Sequence, residues 1–368
     1  MVNYSLSKLK NKANRPGPLL IAGPCSAETE DQVLLTAQGL QSLGQVDYFR
    51  AGVWKPRTRP NSFEGNGEIA LPWLKRVQDE FNLPVMVEIA SADHLERCLK
   101  YGIKAVWIGA RTTVNPFTVQ EIADALKGTD IPVLIKNPIN PDLKLWIGAI
   151  ERIAGAGVKE IAAIHRGFQS YDNTVYRYAP KWDIAIELMT EMPDLQVICD
   201  PSHITGKRSM IAETSQKAMD LGMHGLMIET HPDPDKAWSD ASQQITPQRL
   251  TEIWSELRIR NHSSDDPVFS TELDRLRSMI DSIDEELLEG IAKRMRLIER
   301  VGNYKRDNNI TIFQPQRLSE IRETRTNFGK KLKLEEEFIR KILKDLHDES
   351  IRFQTEILYS SKSAKQAE

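Results

Sequence analysis

Four residues of types that commonly bind metal ions follow short apolar runs of the sequence. Cys25 stands in GPCS, His203 in DPSH and Glu229 in IETHP, and Asp240 comes eleven residues after Glu229. A thiolate, an imidazole and two carboxylates suit a divalent transition ion such as Mn, Fe, Co or Zn, and the mixed set does not choose between them. Any one of these residues alone is more often structural. The metal centre is therefore predicted on the condition that the fold brings all four together.

Basic residues stand at or just after the ends of other apolar runs. They are Arg50, Lys55, Arg57, Arg111, Lys136 and Arg166. Arginine binds phosphate and carboxylate oxygens through paired hydrogen bonds. These cations exceed what one phosphate needs, so we expect two anionic substrates, at least one of them phosphorylated. Glu88 ends a further run, where it orients one of the cations or forms a structural ion pair.

Eight short apolar runs alternate with helical stretches after Pro18. The runs are Leu19–Ala22, Val46–Ala51, Pro84–Ile89, Ile103–Ile108, Ile131–Ile135, Glu160–Ile164, Gln196–Cys199 and Gly225–Ile228. The alternation predicts an α/β fold, a (β/α)8 TIM barrel over residues 1–260, whose strand ends would gather the candidate site residues. A doubly wound open sheet is the alternative, and the lack of G-x-G-x-x-G after the first run disfavours it.

The character of the sequence changes after Arg260. Residues 261–270 begin with the polar NHSSDDP and are predicted to be a linker. Leu273, Leu276, Ile280 and Ile283 open an apolar series at helical spacing, which predicts a helix of about 54 Å from residue 271 to 306. A helix that long rarely stands alone, so we expect a small all-α domain over residues 271–360 that forms a homodimer, or a higher oligomer. Residues 361–368 are expected to be a disordered tail.

Charge and cysteine content exclude several classes of protein. The net charge is -3 with 49 Lys+Arg against 52 Asp+Glu, which disfavours nucleic-acid binding. Three cysteines, without close pairing, fit a reducing compartment. The sequence has no apolar stretch of about 18 residues and no recognisable signal peptide, so we expect a cytoplasmic protein without a membrane span.

Seven motifs of the sequence together resemble those of a known family. They are GPCSAE, KPRT, IGAR, VLIKNP, HRG, DPSH and E-x-H-P…D. Over about residues 18–258 the chain is similar to 3-deoxy-D-arabino-heptulosonate 7-phosphate (DAHP) synthase, of the subclass close to 3-deoxy-octulosonate 8-phosphate synthase. Residues 271–359 resemble the all-helical chorismate mutase domain. The resemblance implies a bifunctional enzyme that condenses phosphoenolpyruvate with erythrose 4-phosphate and rearranges chorismate to prephenate.

The same resemblance assigns roles to the candidate residues of the barrel. It implies that the metal is bound by Cys25, His203, Glu229 and Asp240. It implies that phosphoenolpyruvate is bound by Arg111, Lys136 and Arg166, with Lys55 nearby. Erythrose 4-phosphate would be held by Arg57 and Thr58, with Arg50 close to the reacting centre. Arg59 departs from the family, which usually has serine there, and so puts one sugar-phosphate contact in question.

In the helical segment the resemblance implies a dicarboxylate site. Its residues would be Arg277 from the partner chain, then Arg294, Lys305, Arg317, Ser350 and Gln354. Gln314 and Leu318 stand where the family usually has acids that contact the substrate hydroxyl. A monofunctional synthase whose helical domain only dimerises and regulates therefore stays open, and 3-deoxy-octulosonate 8-phosphate synthase activity is a further alternative. A non-catalytic barrel scaffold with a helical interaction module does not explain the clustered ligands and cations. Since no separate regulatory domain fits before Pro18, we expect prephenate to act through the mutase domain.

Overall fold

Eight parallel strands close into a barrel in which each strand pairs with its sequence neighbours and the last pairs with the first. The computed structural model describes residues 6–9, 17–55, 63–170, 174–260 and 266–363. The strands are β1 Leu19–Gly23, β2 Tyr48–Ala51, β3 Val85–Ile89, β4 Ala105–Ile108, β5 Val133–Lys136, β6 Ile161–His165, β7 Gln196–Cys199 and β8 Gly225–Glu229. The predicted TIM barrel is confirmed. Several strands begin one or two residues later than the apolar runs, because loop residues before a strand are also buried.

Helices connect the strands on the outside of the barrel. They are α1 Glu30–Gln41, α2 Leu71–Phe81, α3 Ala92–Lys100, α4 Ala110–Thr113, α5 Pro116–Leu126, α6 Leu143–Gly155, α7 Trp182–Glu191, α8 Pro201–Thr205, α9 Ile211–Asp220 and α10 Pro247–Glu256. Short polar residues start many of them: the side chains of Thr29, Ser91 and Asp142 accept hydrogen bonds from backbone N–H groups of the first turn.

Two apolar layers hold the barrel together. Alternate strand residues such as Ile21, Met86 and Leu134 fill its interior, and Leu9 from the N-terminal segment packs with them. The other face of the strands packs against the surrounding helices. Because strand side chains alternate in direction, the residue two positions beyond each interior residue also points inward.

Three helices form a second unit, and the two units divide between residues 262 and 263. They are α11 Pro267–Asp307, α12 Pro315–Lys331 and α13 Glu336–Ser363. The first helix begins four residues before its predicted start, inside the segment expected to be linker. Asp266 caps it by accepting from the backbone of Val268 at 2.9 Å, and Pro267 suits a first helical position.

The third helix extends beyond residue 360, the predicted end of the helical domain, and its last described residue is Ser363. The predicted tail is thus helical at its start, and residues 364–368 lie outside the described residues. The expected order of a barrel followed by helices is confirmed. None of the described helices combines the length and apolar composition needed to cross a membrane.

Gly225, where β8 meets both of its neighbours, provides a test of barrel closure. A Cβ at this position would lie 2.5 Å from the backbone oxygen of Leu19 on β1. We predict that Gly225→Ala lowers the free energy of unfolding by about 1–3 kcal/mol, as overpacking does. Gly148→Ala is the matched control, since its Cβ would meet nothing within 4 Å, and it should gain about 0.5–1 kcal/mol in its helix. Urea unfolding measures both, and an unchanged stability of Gly225→Ala would contradict the packing described.

Candidate active site

A layer of charged side chains covers the apolar interior at the carboxyl ends of the strands. Each of its residues stands two positions after an interior apolar residue of a strand, and they are Arg50, Glu88, Lys136, Arg166, Asp200 and Glu229. At the corresponding position after β4 stands Gly109, where a Cβ would lie 2.2 Å from Glu88 Oε1. The strand periodicity therefore places charge, and room for a ligand, at one end of the barrel.

Buried ion pairs across the barrel hold this layer together. Arg50 Nη2 donates to Glu229 Oε1 at 3.0 Å, and Lys136 Nζ donates to Asp200 Oδ2 at 3.0 Å. Burial opposes the charge on Arg50, but Glu229 and Asp200 outweigh it and raise the pKa of the guanidinium. Burial likewise opposes ionisation of Asp200, but His203 and Lys136 hold the pKa of its carboxyl well below the usual value. The guanidinium of Arg50 and the carboxylate of Asp200 are therefore both charged.

Trp107 of β4 supports the cations of this layer. The guanidinium of Arg50 lies 5.0 Å from the centre of the indole ring, and Lys136 Nζ lies 5.7 Å from it. The indole N–H donates to Glu88 Oε2 at 3.0 Å. One fully buried aromatic side chain therefore positions two cations through its face and one carboxylate through its edge.

Three of the four candidate metal ligands converge at the ends of β8 and β1, and the fourth, His203, which follows β7, lies beside Glu229. One ligand atom each from Cys25, Glu229 and Asp240 lie within 4.8 Å of one another. His203, in α8, has its Nε2 at 3.8 Å from Glu229 Oε1 and its Nδ1 at 2.8 Å from Asp200 Oδ2. A histidine that presents one nitrogen to the cluster and the other to a carboxylate is typical of metal ligation. The donor set fits a divalent transition ion.

The protonation state of the Cys25 thiol depends on burial and on the charged groups around it. Burial and the neighbouring Glu229 raise its pKa to about 12. Lys55 Nζ donates to Cys25 Sγ at 2.9 Å, and the Sγ lies 3.4 Å from Asp240 Oδ2. Without an ion the thiol therefore keeps its proton at neutral pH, and binding a metal as thiolate would release that proton.

A cavity of ≈ 810 Å³ opens beside this cluster. Along it lie the cations Lys55, Arg111, Lys136, Arg166 and Arg177, the carboxylates Glu88 and Asp240, and the imidazole of His203. Arg166 is buried, and its guanidinium lies over the Tyr178 ring at 3.6 Å from the ring centre. Cations outnumber carboxylates along the wall, so the cavity suits anions next to a metal. The predicted contacts Arg57 and Thr58, and the departure at Arg59, lie outside the described residues.

The helical unit brings a second group of predicted residues together. Arg294 Nη1 of α11 donates to Ser350 Oγ of α13 at 2.7 Å. Gln354 lies one turn further along α13, and its Oε1 is buried without a hydrogen-bond partner among the described residues. Lys305 Nζ donates to the backbone oxygen of Ile312 at 2.7 Å.

Two other predicted cations of this unit lie beside carboxylates of their own helices. Arg277 Nη1 is 3.5 Å from Asp274, on an exposed part of α11 seventeen residues before Arg294. A separation of about 25 Å along the helix follows from its rise per residue. Arg317, on α12, pairs with Glu320 at 2.7 Å.

Sequence reasoning missed several polar residues of the barrel site. Asp200 and Trp107 belong to the inward series of β7 and β4, and the alternation of strand residues could have identified them. Arg177 and Gln243 come from loops, where no periodicity indicates a direction. Arg177 Nη1 donates to Asp240 Oδ1 at 3.1 Å, and Gln243 Nε2 donates to Glu229 Oε2 at 2.7 Å.

Two family models match the chain: the DAHP synthetase I family over residues 11–262 and chorismate mutase type II over residues 276–355. Phospho-2-dehydro-3-deoxyheptonate aldolase of Thermotoga maritima is 32% identical over 240 residues, which span 65% of this chain and 68% of that protein. 2-Dehydro-3-deoxyphosphooctonate aldolase of Nitratidesulfovibrio vulgaris is 27% identical over 263 residues, covering 65% of this chain and 90% of that protein.

The solved structures agree with these matches. A crystal structure of the Thermotoga maritima phospho-2-dehydro-3-deoxyheptonate aldolase superposes with a TM-score of 0.57 and 28% identity. It covers 68% of this chain and 75% of the other. The similarity to these proteins thus spans most of the barrel unit, and the second family model covers most of the helical unit.

The cationic wall of the cavity should bind inorganic phosphate. We predict that phosphate at tenfold its dissociation constant stabilises the folded protein by about 1.4 kcal/mol, seen as a higher melting temperature. Arg166→Gln should lose most of this gain, because it removes a buried cation of the wall. Arg152→Gln is the control, since Arg152 is exposed on α6 and contacts Gln120. Equal phosphate stabilisation of wild type and Arg166→Gln would contradict this description of the cavity.

Proposed function

Since the chain belongs to the DAHP synthetase I family and carries a chorismate mutase type II domain, we propose that it is a bifunctional enzyme of the shikimate pathway. The barrel condenses phosphoenolpyruvate with erythrose 4-phosphate and water to give DAHP and inorganic phosphate. The helical unit rearranges chorismate to prephenate. The observation that carries the synthase proposal is the convergence of Cys25, Glu229 and Asp240 beside a cationic cavity.

The synthase reaction forms one carbon–carbon bond, and at the neighbouring carbon it forms one carbon–oxygen bond to water and breaks the carbon–oxygen bond to the phosphate. The alkene carbon of phosphoenolpyruvate attacks the aldehyde carbon of erythrose 4-phosphate. Water adds to the cationic carbon that this leaves, and phosphate departs with the bridging oxygen. Both substrates are anions that repel each other, so binding them in attack geometry is a large part of the catalysis.

We assign the divalent ion to Cys25, His203, Glu229 and Asp240. When bound there, it supplies Lewis-acid polarisation of the aldehyde oxygen. The donor types support a transition metal and leave open which of Mn, Fe, Co or Zn is physiological. Arg50, hydrogen bonded to Glu229, would lie close to the reacting carbons.

The cations of the cavity would divide between the two substrates. Arg111, Lys136 and Arg166 hold phosphoenolpyruvate, and Lys55 lies near it. Arg57 and Thr58 hold erythrose 4-phosphate. Glu88 orients the cations through Trp107, since the indole N–H donates to its carboxylate. Three free buried cysteines support the proposal that the enzyme works in the reducing cytoplasm.

The mutase reaction breaks one C–O bond and forms one C–C bond within chorismate, and it needs no covalent intermediate with the enzyme. Its site must bind the diaxial conformer of chorismate and stabilise negative charge on the oxygen of the breaking C–O bond. We propose that Arg294, Arg317 and Ser350 bind the carboxylates. Lys305 and the Gln354 amide NH₂ group would donate to the ether oxygen; here Gln354 Nε2 donates to the backbone oxygen of Ser350 at 3.2 Å.

We propose that the mutase unit pairs with a second copy of the chain. Leu276, Ile280, Ile283, Leu287 and Ile291 form one stripe of α11 and are between 41% and 59% exposed. A stripe of this length is costly to leave in water, and a second α11 would bury it. The same pairing would let Arg277 of one chain enter the site of the other.

Metal dependence is the first test of the synthase. Phosphate release from phosphoenolpyruvate plus erythrose 4-phosphate should fall by at least about 100-fold after chelation, because the lost Lewis acid contributes several kcal/mol. Adding a divalent metal should restore it. Cys25→Ala should abolish it, whereas Cys98→Ala, a buried cysteine of α3, should not.

A parallel assay with arabinose 5-phosphate distinguishes DAHP synthesis from 3-deoxy-octulosonate 8-phosphate synthesis. Faster phosphate release with this five-carbon sugar phosphate than with erythrose 4-phosphate would assign the barrel to 3-deoxy-octulosonate 8-phosphate synthesis. Phosphate release that no metal restores would contradict the proposed metal centre.

Arg294→Ala tests the mutase. It should lower the rate of chorismate loss by about 100- to 1000-fold, as expected when a preorganised charge is removed. Arg352→Ala, an exposed arginine of α13 paired with Glu349, should stay within about twofold. Light scattering should give a dimer for both variants. Unchanged mutase activity in Arg294→Ala would support the alternative in which the helical unit only dimerises and regulates.

The same variant tests feedback. We propose that prephenate bound at the mutase site slows the synthase of the intact chain. Prephenate should therefore inhibit phosphate release by the wild type and lose that effect in Arg294→Ala. Synthase kinetics unaffected by prephenate in the wild type would reject this regulation.

A further inference from the structure

A bridge of two side chains ties together two of the carboxylates assigned to the metal. Gln243 is fully buried in the turn after Asp240. Its Nε2 donates to Glu229 Oε2 at 2.7 Å, and its Oε1 accepts from Arg177 Nη1 at 2.5 Å. The same nitrogen of Arg177 donates to Asp240 Oδ1 at 3.1 Å. The bridge therefore runs from Glu229 through Gln243 and Arg177 to Asp240.

The bridge uses one oxygen of each carboxylate and leaves the other for the cluster. Glu229 Oε1 lies 3.8 Å from His203 Nε2, and Asp240 Oδ2 lies 3.4 Å from Cys25 Sγ. Each carboxylate thus has one oxygen held from behind by the bridge and one facing the other ligands, and in Glu229 this second oxygen, Oε1, also accepts from Arg50 Nη2 at 3.0 Å. This division fixes how the two groups are rotated, which a metal site with defined geometry requires.

The residue types fit this role. A glutamine side chain can donate to a carboxylate with its NH₂ group while it accepts from a guanidinium with its carbonyl. Leucine could do neither. Asp240 itself has φ 48°, a left-handed backbone conformation, so its own chain geometry is an uncommon one. Arg177 comes from the loop between β6 and α7, so the bridge also joins two separate loops.

We propose that Gln243, with Arg177, is a positioning residue that orients Glu229 and Asp240 for metal binding. This inference rests on the metal site proposed above. It predicts that breaking the bridge weakens metal affinity although every ligand is still present. Substitutions in the outer shell of metal sites commonly cost about 10- to 100-fold in affinity.

The experiment measures Co²⁺ affinity of the full-length metal-free protein by competition with a chelator. Gln243→Leu should bind Co²⁺ about 10- to 100-fold more weakly than the wild type. The thiolate-to-cobalt absorption band should remain at saturation, because Cys25 is still present. Gln196→Leu is the matched control: Gln196 is also buried, but it accepts from the backbone of Leu9 at 2.7 Å, at the start of β7. It should lose stability without losing Co²⁺ affinity.

Arg177→Met breaks the same bridge from a side chain that is 40% exposed, so it keeps the test valid if Gln243→Leu does not fold. It should also weaken Co²⁺ binding. Wild-type affinity in both variants, or in Arg177→Met alone if only that variant folds, would overturn the proposed bridge and leave the metal site intact. Equal weakening in Gln196→Leu would also overturn it. A wild type that binds no Co²⁺ would overturn both the metal site and the bridge.

Discussion

The barrel site depends on one constraint: carboxylates and cations buried at the ends of the strands must neutralise one another. Asp200 and Glu229 are fully buried, and Arg50 and Lys136 face them at hydrogen-bond distance. An unpaired charge at this depth would cost several kcal/mol, and breaking a buried pair commonly costs about 3–5 kcal/mol. Function benefits from the same arrangement, because charges fixed before the substrates arrive need little reorganisation during the reaction.

The charges are separated by strand. Carboxylates, thiol and imidazole collect at the ends of β7, β8 and β1, and the cations Arg111, Lys136 and Arg166 follow β4, β5 and β6. The proposed metal ligands and the cationic side of the cavity therefore lie side by side. The reaction assigned to the helical unit has fewer requirements, since a rearrangement within one molecule needs only cations and hydrogen-bond donors held in place. Arg294 and Ser350 are held together by a hydrogen bond of 2.7 Å.

Much of this arrangement could be predicted from the sequence, for physical reasons that differ between residues. The barrel follows from eight strand-length apolar runs, and the alternation along a strand also explains why Arg50, Lys136 and Glu229 point inward. Asp200 and Trp107 obey that alternation and were nevertheless missed, because an acid after a strand and an apolar residue within one have common structural uses. Gln243 and Arg177 could not be predicted, since loop side chains follow no period. The start of α11 was missed because polar residues around Pro267 form a helix cap as readily as a linker.

We propose above all that Cys25, His203, Glu229 and Asp240 bind one metal ion. X-ray absorption at the metal edge of the zinc-loaded full-length protein tests it most directly. The account predicts one sulfur at about 2.3 Å with nitrogen and oxygen ligands near 2.0–2.2 Å. The Cys25→Ser variant still contains Cys98 and Cys199, and its metal should have no sulfur ligand. A wild-type shell of only nitrogen and oxygen, or a sulfur that persists in Cys25→Ser, would contradict the account.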